Sequence, residues 1–148
     1  MTGETSAALA ALYMDVVPKA MREFRKEMRS SRSVGLTVPQ FRILALLAEG
    51  HGGNRELAEN VGVSVAAMSR MVDWLSKHHL VERLKDKTDR RKVQVQLTNE
   101  GRGHFAEFRK EASQRLEKRM ASLDAANRKN LSKGLSALAL AVKNMGDA

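Results

Sequence analysis

The sequence predicts a mainly α-helical fold that carries one small β-hairpin. Apolar residues recur at steps of three and four along most of the chain, which is typical of amphipathic helices. Around residues 81–97 this pattern gives way to the two-residue alternation of strands. The length of 148 residues fits one domain, and the hydrophobic share of 43% is sufficient for a core. We therefore expect a single globular domain over 1–148.

The first two helices are indicated by an apolar stripe and by a capping pattern. The first is predicted to run to about Arg29, on a stripe that consists of Leu9, Leu12, Val16, Ala20 and Phe24. Thr37 and Gln40 have the spacing of a capping box, and Gly50 suits a left-handed helix end. These signals predict a second helix over about 38–49.

The next two helices have the pattern of a helix-turn-helix. Asn54 can cap a short third helix that ends at Gly62, and Ser64 can cap a fourth, VAAMSRMVDWLSKHH. Two helices that cross over a short turn favour a small residue in the first, glycine in the turn and an apolar residue in the second. Ala58, Gly62 and Met68 occupy those positions.

The last part of the chain is predicted as a hairpin followed by two helices. VERLK and VQVQLT alternate as strands, with Val93, Val95 and Leu97 on one face. A fifth helix is expected from Thr98 to about Met120. Asp124 can cap a sixth helix, whose apolar seam comprises Leu131, Leu135, Leu138, Val142 and Met145.

The charge of the chain favours a polyanionic partner. Lysine and arginine number 26 against 17 acidic residues, which gives a net charge of +9 and fits nucleic acid or an anionic membrane surface. The absence of cysteine excludes disulfides and thiolate sites. No apolar run approaches the ~18 residues of a membrane span, and no basic segment precedes the apolar N-terminal part. We therefore expect a cytoplasmic protein.

The fourth helix is predicted to present a DNA-reading face. At 100° per residue, one face holds Met68, Met71, Val72 and Leu75, and the opposite face holds Ala66, Arg70, Asp73 and Lys77. The small or polar N-terminal half suits entry into a major groove about 12 Å wide. Arg70 is the best candidate for a guanine contact, and the alternative is a solvated surface arginine.

The hairpin tip DKTDRRK forms a basic loop directly after this helix. Its cations are Lys85, Lys87, Arg90, Arg91 and Lys92. A loop so placed can reach an adjacent minor groove, where narrow A·T-rich stretches attract arginine. The alternative is a tip that is merely solvated.

The sequence resembles the MarR family. The resemblance rests on LTVPQFRILALLAEG, on RELAENVGVSVAAMSRMVDWLSKHHLVERLKDKTDRRKVQVQLTNEGR and on the flanking helices. It implies a winged helix-turn-helix, with a DNA-binding lobe over 36–97 and long dimerisation helices over 4–31 and 99–146. It also implies a homodimer whose first, fifth and sixth helices form the interface and whose reading helices enter successive major grooves.

The resemblance also assigns individual roles. Asp89 matches the acid of the wing, which orients an arginine through a charge-assisted hydrogen bond. His79 stands where glycine is common in the family, and Trp74 where a polar residue is usual. The predicted DNA-binding residues are Ser64, Ala66, Ala67, Ser69, Arg70, Arg90 and Arg91. Lys77, on the outward face of the fourth helix, and Lys87, in the loop, complete this set.

The sequence gives little indication of a metal site, a cofactor site or a catalytic site. His104, Glu107 and Glu111 have helical spacing suited to a metal, although a surface histidine beside acids is the simpler interpretation, and we predict no metal and no cofactor. The chain has no Gly-rich phosphate loop and no recognisable catalytic set, so we expect no enzyme. The resemblance implies that a small aromatic or lipophilic effector binds between the dimer helices and the DNA-binding lobes, at residues that the sequence does not identify.

These observations lead to one principal hypothesis and one alternative. The first is a sequence-specific transcriptional regulator, a ligand-responsive repressor that binds a pseudo-palindromic operator as a homodimer. The second keeps the fold as a protein-interaction module or a sequence-blind architectural module on DNA, because two alanines on the reading face offer few base contacts.

Overall fold

The computed structural model describes residues 5–29, 35–89 and 91–146, and it confirms the predicted fold class. Within these ranges the chain forms helices joined by one antiparallel hairpin. The elements in order are α1 Ser6–Arg29, α2 Val38–Ala48, α3 Asn54–Val61, α4 Val65–Lys77, β1 Val81–Lys85, β2 Val93–Leu97, α5 Asn99–Met120 and α6 Ala125–Gly146. None of these helices combines the length and the apolar character needed to cross a membrane.

The chain divides into two compact units, Met1–Ala112 and Ser113–Ala148, so that the division falls inside α5. The first unit holds the helix-turn-helix and the hairpin around one apolar core. Its largest fully buried side chains include Ile43, Leu44, Leu57, Met68, Val72, Leu75 and Leu80. The core therefore draws on α2, α3, α4 and the residues that lead into the hairpin.

An aromatic cluster fixes α1 and α5 against α2 within the first unit. The ring of Phe41 in α2 lies 4.9 Å from that of Phe108 and 5.3 Å from that of Phe105, both in α5. Its distance to Phe24 of α1 is 6.2 Å, in an edge-on arrangement. Such ring pairs add about 0.5–1.5 kcal/mol each beyond the area they bury.

Most of the predicted helix ends are confirmed. The capping box of α2 is present, since Thr37 Oγ1 accepts from the Gln40 amide at 3.4 Å and Gln40 Oε1 accepts from the Thr37 amide at 2.9 Å. Ser64 caps α4 by accepting from the Ala67 amide at 3.1 Å. Asp124 accepts from the Asn127 amide at 2.7 Å ahead of α6.

The prediction that Asn54 caps α3 is wrong. The N-cap is Gly53, which has extended backbone (φ −73°, ψ 133°) and forms an isolated bridge with Gln94 of β2. Because this pairing holds the preceding residue outside the helix, Asn54 becomes the first helical residue. Its side-chain amide is then free to donate to Ser69 Oγ of α4 at 3.3 Å.

The hairpin pairs in the register Val81↔Leu97 to Lys85↔Val93. Val95 and Leu97 are buried as the alternation predicts, whereas Val93 is 39% exposed because it lies at the tip end of the strand, past the core. The Val95 amide also donates to the Gly52 carbonyl at 2.8 Å. The loop before α3 is thus hydrogen-bonded to the wing.

The turn after α4 is left-handed even though it contains histidine. His79 has φ 59°, and its carbonyl accepts from the Thr98 hydroxyl at 2.6 Å. Thr98 Oγ1 in turn accepts from the Gly101 amide at 2.9 Å, which caps the start of α5. A Cβ on Gly101 would lie 2.8 Å from the carbonyl carbon of Leu80 and closer still to its oxygen. The first turn of α5 therefore packs directly on the backbone of this turn.

The second unit comprises the end of α5 and the whole of α6. The predicted seam of α6 faces solvent in the single chain, since Leu131, Leu135 and Val142 are exposed and Leu138 is half-buried. The side chain of Met145 lies outside the described residues.

Candidate nucleic-acid interface

The two faces of α4 are divided as the helical periodicity predicts. Met68, Val72 and Leu75 are fully buried, and Met71 is half-buried against the same core. The opposite face is exposed along the whole helix, with Ala66, Arg70, Asp73 and Lys77 in solvent. Because the core holds one face, the orientation of the outward face is fixed relative to the rest of the lobe.

The other predicted residues of α4 lie at the margin of this face. Ser64 is exposed, although its hydroxyl already accepts one backbone hydrogen bond. Ala67 and Ser69 are half-buried. The hydroxyl of Ser69 contacts the Asn54 side-chain amide, so that the first turn of α3 touches the reading helix at this point.

The wing tip is ordered by its two aspartates. Asp86 Oδ1 accepts from the hydroxyl of Thr88 at 2.7 Å and from its amide at 2.8 Å. These two bonds lower the pKa of Asp86 below its ordinary value, because both donors favour the ionised carboxylate. Asp89 Oδ1 accepts from the backbone amide of Arg91 at 3.0 Å. The contact that the structure shows for Asp89 is therefore with the backbone of an arginine.

Some of the cations predicted at this tip are among the residues that the structure describes. Lys87 and Arg91 are exposed. Arg90 lies outside the described residues.

The structure adds an ion pair that the sequence does not indicate. Arg83 of β1 donates from Nη1 to Asp73 Oδ1 of α4 at 2.6 Å, and from Nη2 to the carbonyl of Ser69 at 3.4 Å. Beside this pair a cleft of about 270 Å³ separates the reading helix from the wing. The cleft is lined by Asn54, Ser69, Arg83, Arg91, Val93 and Val95.

Trp74 lies at the edge of α4 and packs on the core of the lobe. Its ring also stacks on His78, with ring centres 3.8 Å apart and planes inclined by 24°. Nδ1 of His78 is 2.8 Å from the carbonyl of Trp74, which orients the imidazole.

The residues considered for a metal site do not form a cluster. His104 Nε2 lies 3.7 Å from Glu100 Oε1, one turn back along α5. In the part of the chain that the structure describes, no three His, Asp or Glu side chains are grouped to hold a metal ion.

Comparison with known proteins relates part of the chain to one family. Residues 36–93, from the segment before α2 into β2, match the model of the MarR family. The structure superposes on wild-type MarR from E. coli, in its apo form, with a TM-score of 0.77 and 26% identity, covering 88% of this chain and 95% of that one. The chain therefore carries a MarR family domain over residues 36–93.

Two further relatives extend this likeness. An HTH-type transcriptional regulator of Bacillus subtilis, YfiV, is 29% identical over 136 residues, which cover 90% of this chain and 82% of YfiV. The transcriptional repressor CouR, solved with a 23-mer DNA duplex, has a TM-score of 0.70 and 27% identity over 94% of this chain and 97% of its own. The helix-turn-helix and the first strand of the hairpin lie within the residues that match the MarR family, 36–93.

Proposed function

We propose that this protein is a sequence-specific DNA-binding regulator of transcription that acts in the cytoplasm. One observation carries the proposal, namely the outward face of α4. Three fully buried residues fix the helix, and after Val65 the side chains that reach its surface before Arg70 are those of Ala66, Ala67 and Ser69, all small or polar. A helix so presented fits a major groove, and a guanidinium at that position can bond guanine O6 and N7 together.

The basic wing supports the same proposal. Lys87 and Arg91 are exposed at the tip of the hairpin, next to the reading helix along the chain. With a net charge of +9, phosphate contacts would supply much of the affinity, and binding would fall steeply as salt rises.

The functional form is a homodimer. We assign 36–97 to the DNA-binding lobe and the helical regions 4–31 and 99–146 to dimerisation. Two unpartnered apolar stripes support this assignment: Leu9, Leu12 and Val16 of α1, and Leu131, Leu135 and Val142 of α6, are exposed in the single chain. A two-fold dimer would read a pseudo-palindromic operator whose half-sites lie about 34–36 Å apart.

Repression with release by an effector is the mode of action that we propose. CouR, to which the chain is similar over nearly its whole length, is named a repressor. A cleft of about 390 Å³ at the end of α1 and the start of α2 suits an aromatic or lipophilic acid, because arginines stand beside apolar side chains there. Its lining includes Arg25, Arg29, Met28, Leu36 and Val38.

The experiment is a selection of genomic fragments by the purified protein near ~0.15 M salt, where purely electrostatic binding is already weak. We expect a few intergenic fragments that share an inverted repeat. Uniform recovery would instead favour the sequence-blind architectural module, which the exposed alanine at position 66 of the reading face allows. Recovery of no fragment would contradict DNA binding by the free protein and leave a protein partner as the ligand of this face.

The Arg70→Ala variant tests the reading role directly. We expect it to relax the preference at one base position by about 1–3 kcal/mol, because the bidentate guanine contact is lost. Lys77→Ala is the matched control, since it removes the same charge from the same exposed face. It should weaken binding to all sequences alike. Competition binding with singly substituted operators measures both effects, and an unchanged preference in Arg70→Ala would contradict base reading by Arg70.

A further inference from the structure

The ion pair between Asp73 and Arg83 is unusual for its position. Asp73 places a carboxylate on the outward face of α4, where bound DNA would bring further negative charge. If charge alone mattered, this carboxylate would weaken the binding of DNA. Its side chain is instead occupied by Arg83 at 2.6 Å, and the same guanidinium reaches the Ser69 carbonyl at 3.4 Å.

These two bonds join the hairpin to the reading helix across the outer surface. Elsewhere β1 and α4 meet through the buried core, which fixes the base of the hairpin but not its outer edge. A guanidinium that bonds two acceptors on one helix restrains both distance and angle, because its donors form a rigid planar fork. Arg83 therefore sets how far the outer edge of the wing stands from α4.

The space that results has the chemistry of a phosphate site. Arg91 contributes a cation, Asn54 an amide and Ser69 a hydroxyl to the lining of the cleft beside the ion pair. These are the donor types that proteins use for the phosphates of nucleic acid. The cleft of about 270 Å³ has room for a phosphodiester group of the DNA backbone.

We infer that Asp73 and Arg83 are positioning residues, which hold the wing against the reading helix so that the cleft between them accepts one phosphodiester group of bound DNA. This inference rests on the proposed function. It assigns no contact with DNA to Asp73, and it makes the distance between α4 and β1 the quantity that the ion pair controls.

The sign of the effect of Asp73→Asn separates this inference from simple electrostatics. Removal of a negative charge from a DNA-facing surface should tighten binding if charge alone matters. If the pair positions the wing, Asp73→Asn should weaken binding by about three- to fivefold at ~0.15 M salt, because the phosphate contact is less often in place. The slope of log K against log salt should also become shallower by about 0.9.

Three further variants complete the experiment. Glu59→Gln neutralises another exposed acid, on α3, and should bind as tightly as the wild type or more tightly. Arg83→Lys keeps the net charge but replaces the planar fork, so we expect a severalfold loss that charge cannot explain. In the double variant Asp73→Asn/Arg83→Lys the losses of the two single variants should not add, because both changes break one unit.

Binding is measured by fluorescence anisotropy with a genomic fragment retained in the selection and with a shuffled duplex of the same length. Thermal unfolding should change little in each variant, since exposed ion pairs contribute about 0–1 kcal/mol. Tighter binding by Asp73→Asn, or wild-type binding by Arg83→Lys, would overturn the inference. Failure of the wild type to bind either duplex would instead overturn the proposed function.

Discussion

Replacement of Gly101 by alanine is expected to destabilise the protein by about 2–3 kcal/mol or more, although alanine is the better helix former by about 1 kcal/mol. The added Cβ would meet the backbone of Leu80, with the carbonyl carbon at 2.8 Å and the oxygen closer. Neither partner is a flexible side chain. The turn that carries Leu80 is already held in a left-handed conformation at His79 and bonded to Thr98, so α5 would have to move away.

Gly103→Ala is the matched control for this prediction. It lies two residues further along the same helix, and a Cβ there meets nothing within 4 Å. We expect it to stabilise the protein by about 0.5–1 kcal/mol. Urea unfolding followed by circular dichroism measures both variants, at equal protein concentration because the proposed dimerisation would add to apparent stability. Equal stabilisation by the two changes would contradict the close packing of α5 on the turn.

Replacement of Leu135 by glutamate is expected to abolish the dimer. Leu135 is 56% exposed in the single chain, so the substitution should leave the fold of the protomer intact. In a dimer that buries the α6 stripe, the new carboxylate would be desolvated without a partner, at a cost of several kcal/mol. We expect the dimer dissociation constant to rise at least about 100-fold, equivalent to about 2.7 kcal/mol.

Ser136→Glu introduces the same charge on the side of α6 away from the stripe, where its serine is exposed. Sedimentation velocity should find this control dimeric and Leu135→Glu monomeric at the same micromolar concentration. Binding to an operator with two half-sites should fall in parallel with dimer loss. A dimeric Leu135→Glu protein would exclude this face of α6 from the interface.

The parts of the fold that the sequence predicts well are those set by neighbours along the chain. Capping pairs act over one helical turn, and the sequence predicts two of them, Thr37 with Gln40 and Ser64 with the amide of Ala67. The burial of Met68 and Val72 follows from helical spacing alone, as does the exposure of Arg70. The outward face of the reading helix was therefore predictable residue by residue.

The parts that the sequence does not predict depend on contacts between elements. Asn54 has the right chemistry to cap α3, but the bridge between Gly53 and Gln94 of β2 shifts the helix start by one residue. The periodicity places Asp73 outward, yet nothing in its neighbourhood indicates that Arg83, on a strand after the turn, will pair with it. Both outcomes depend on where the hairpin lies against the helices.

Gly101 illustrates the same limit. As a sequence feature it only weakens the start of a predicted helix, since glycine is a poor helix former. In the structure it allows α5 to approach the Leu80 carbonyl, a contact between residues far apart in the chain. The sequence shows that Gly101 lowers the helix propensity of this segment. It does not show that the missing side chain lets α5 approach the backbone of Leu80.

The stack of Trp74 on His78 gives the molecule an optical probe of its own. Trp74 is the only tryptophan in the chain, and it lies on the same helix as the proposed base contact at Arg70. Indole emission therefore originates from one place, beside the surface that would meet DNA. A titration with unlabelled duplex can be followed by that emission in the native chain, without a dye. Because the neighbouring imidazole lies face to face with the indole at 3.8 Å, any ligand that disturbs this edge of α4 should alter the light that it emits.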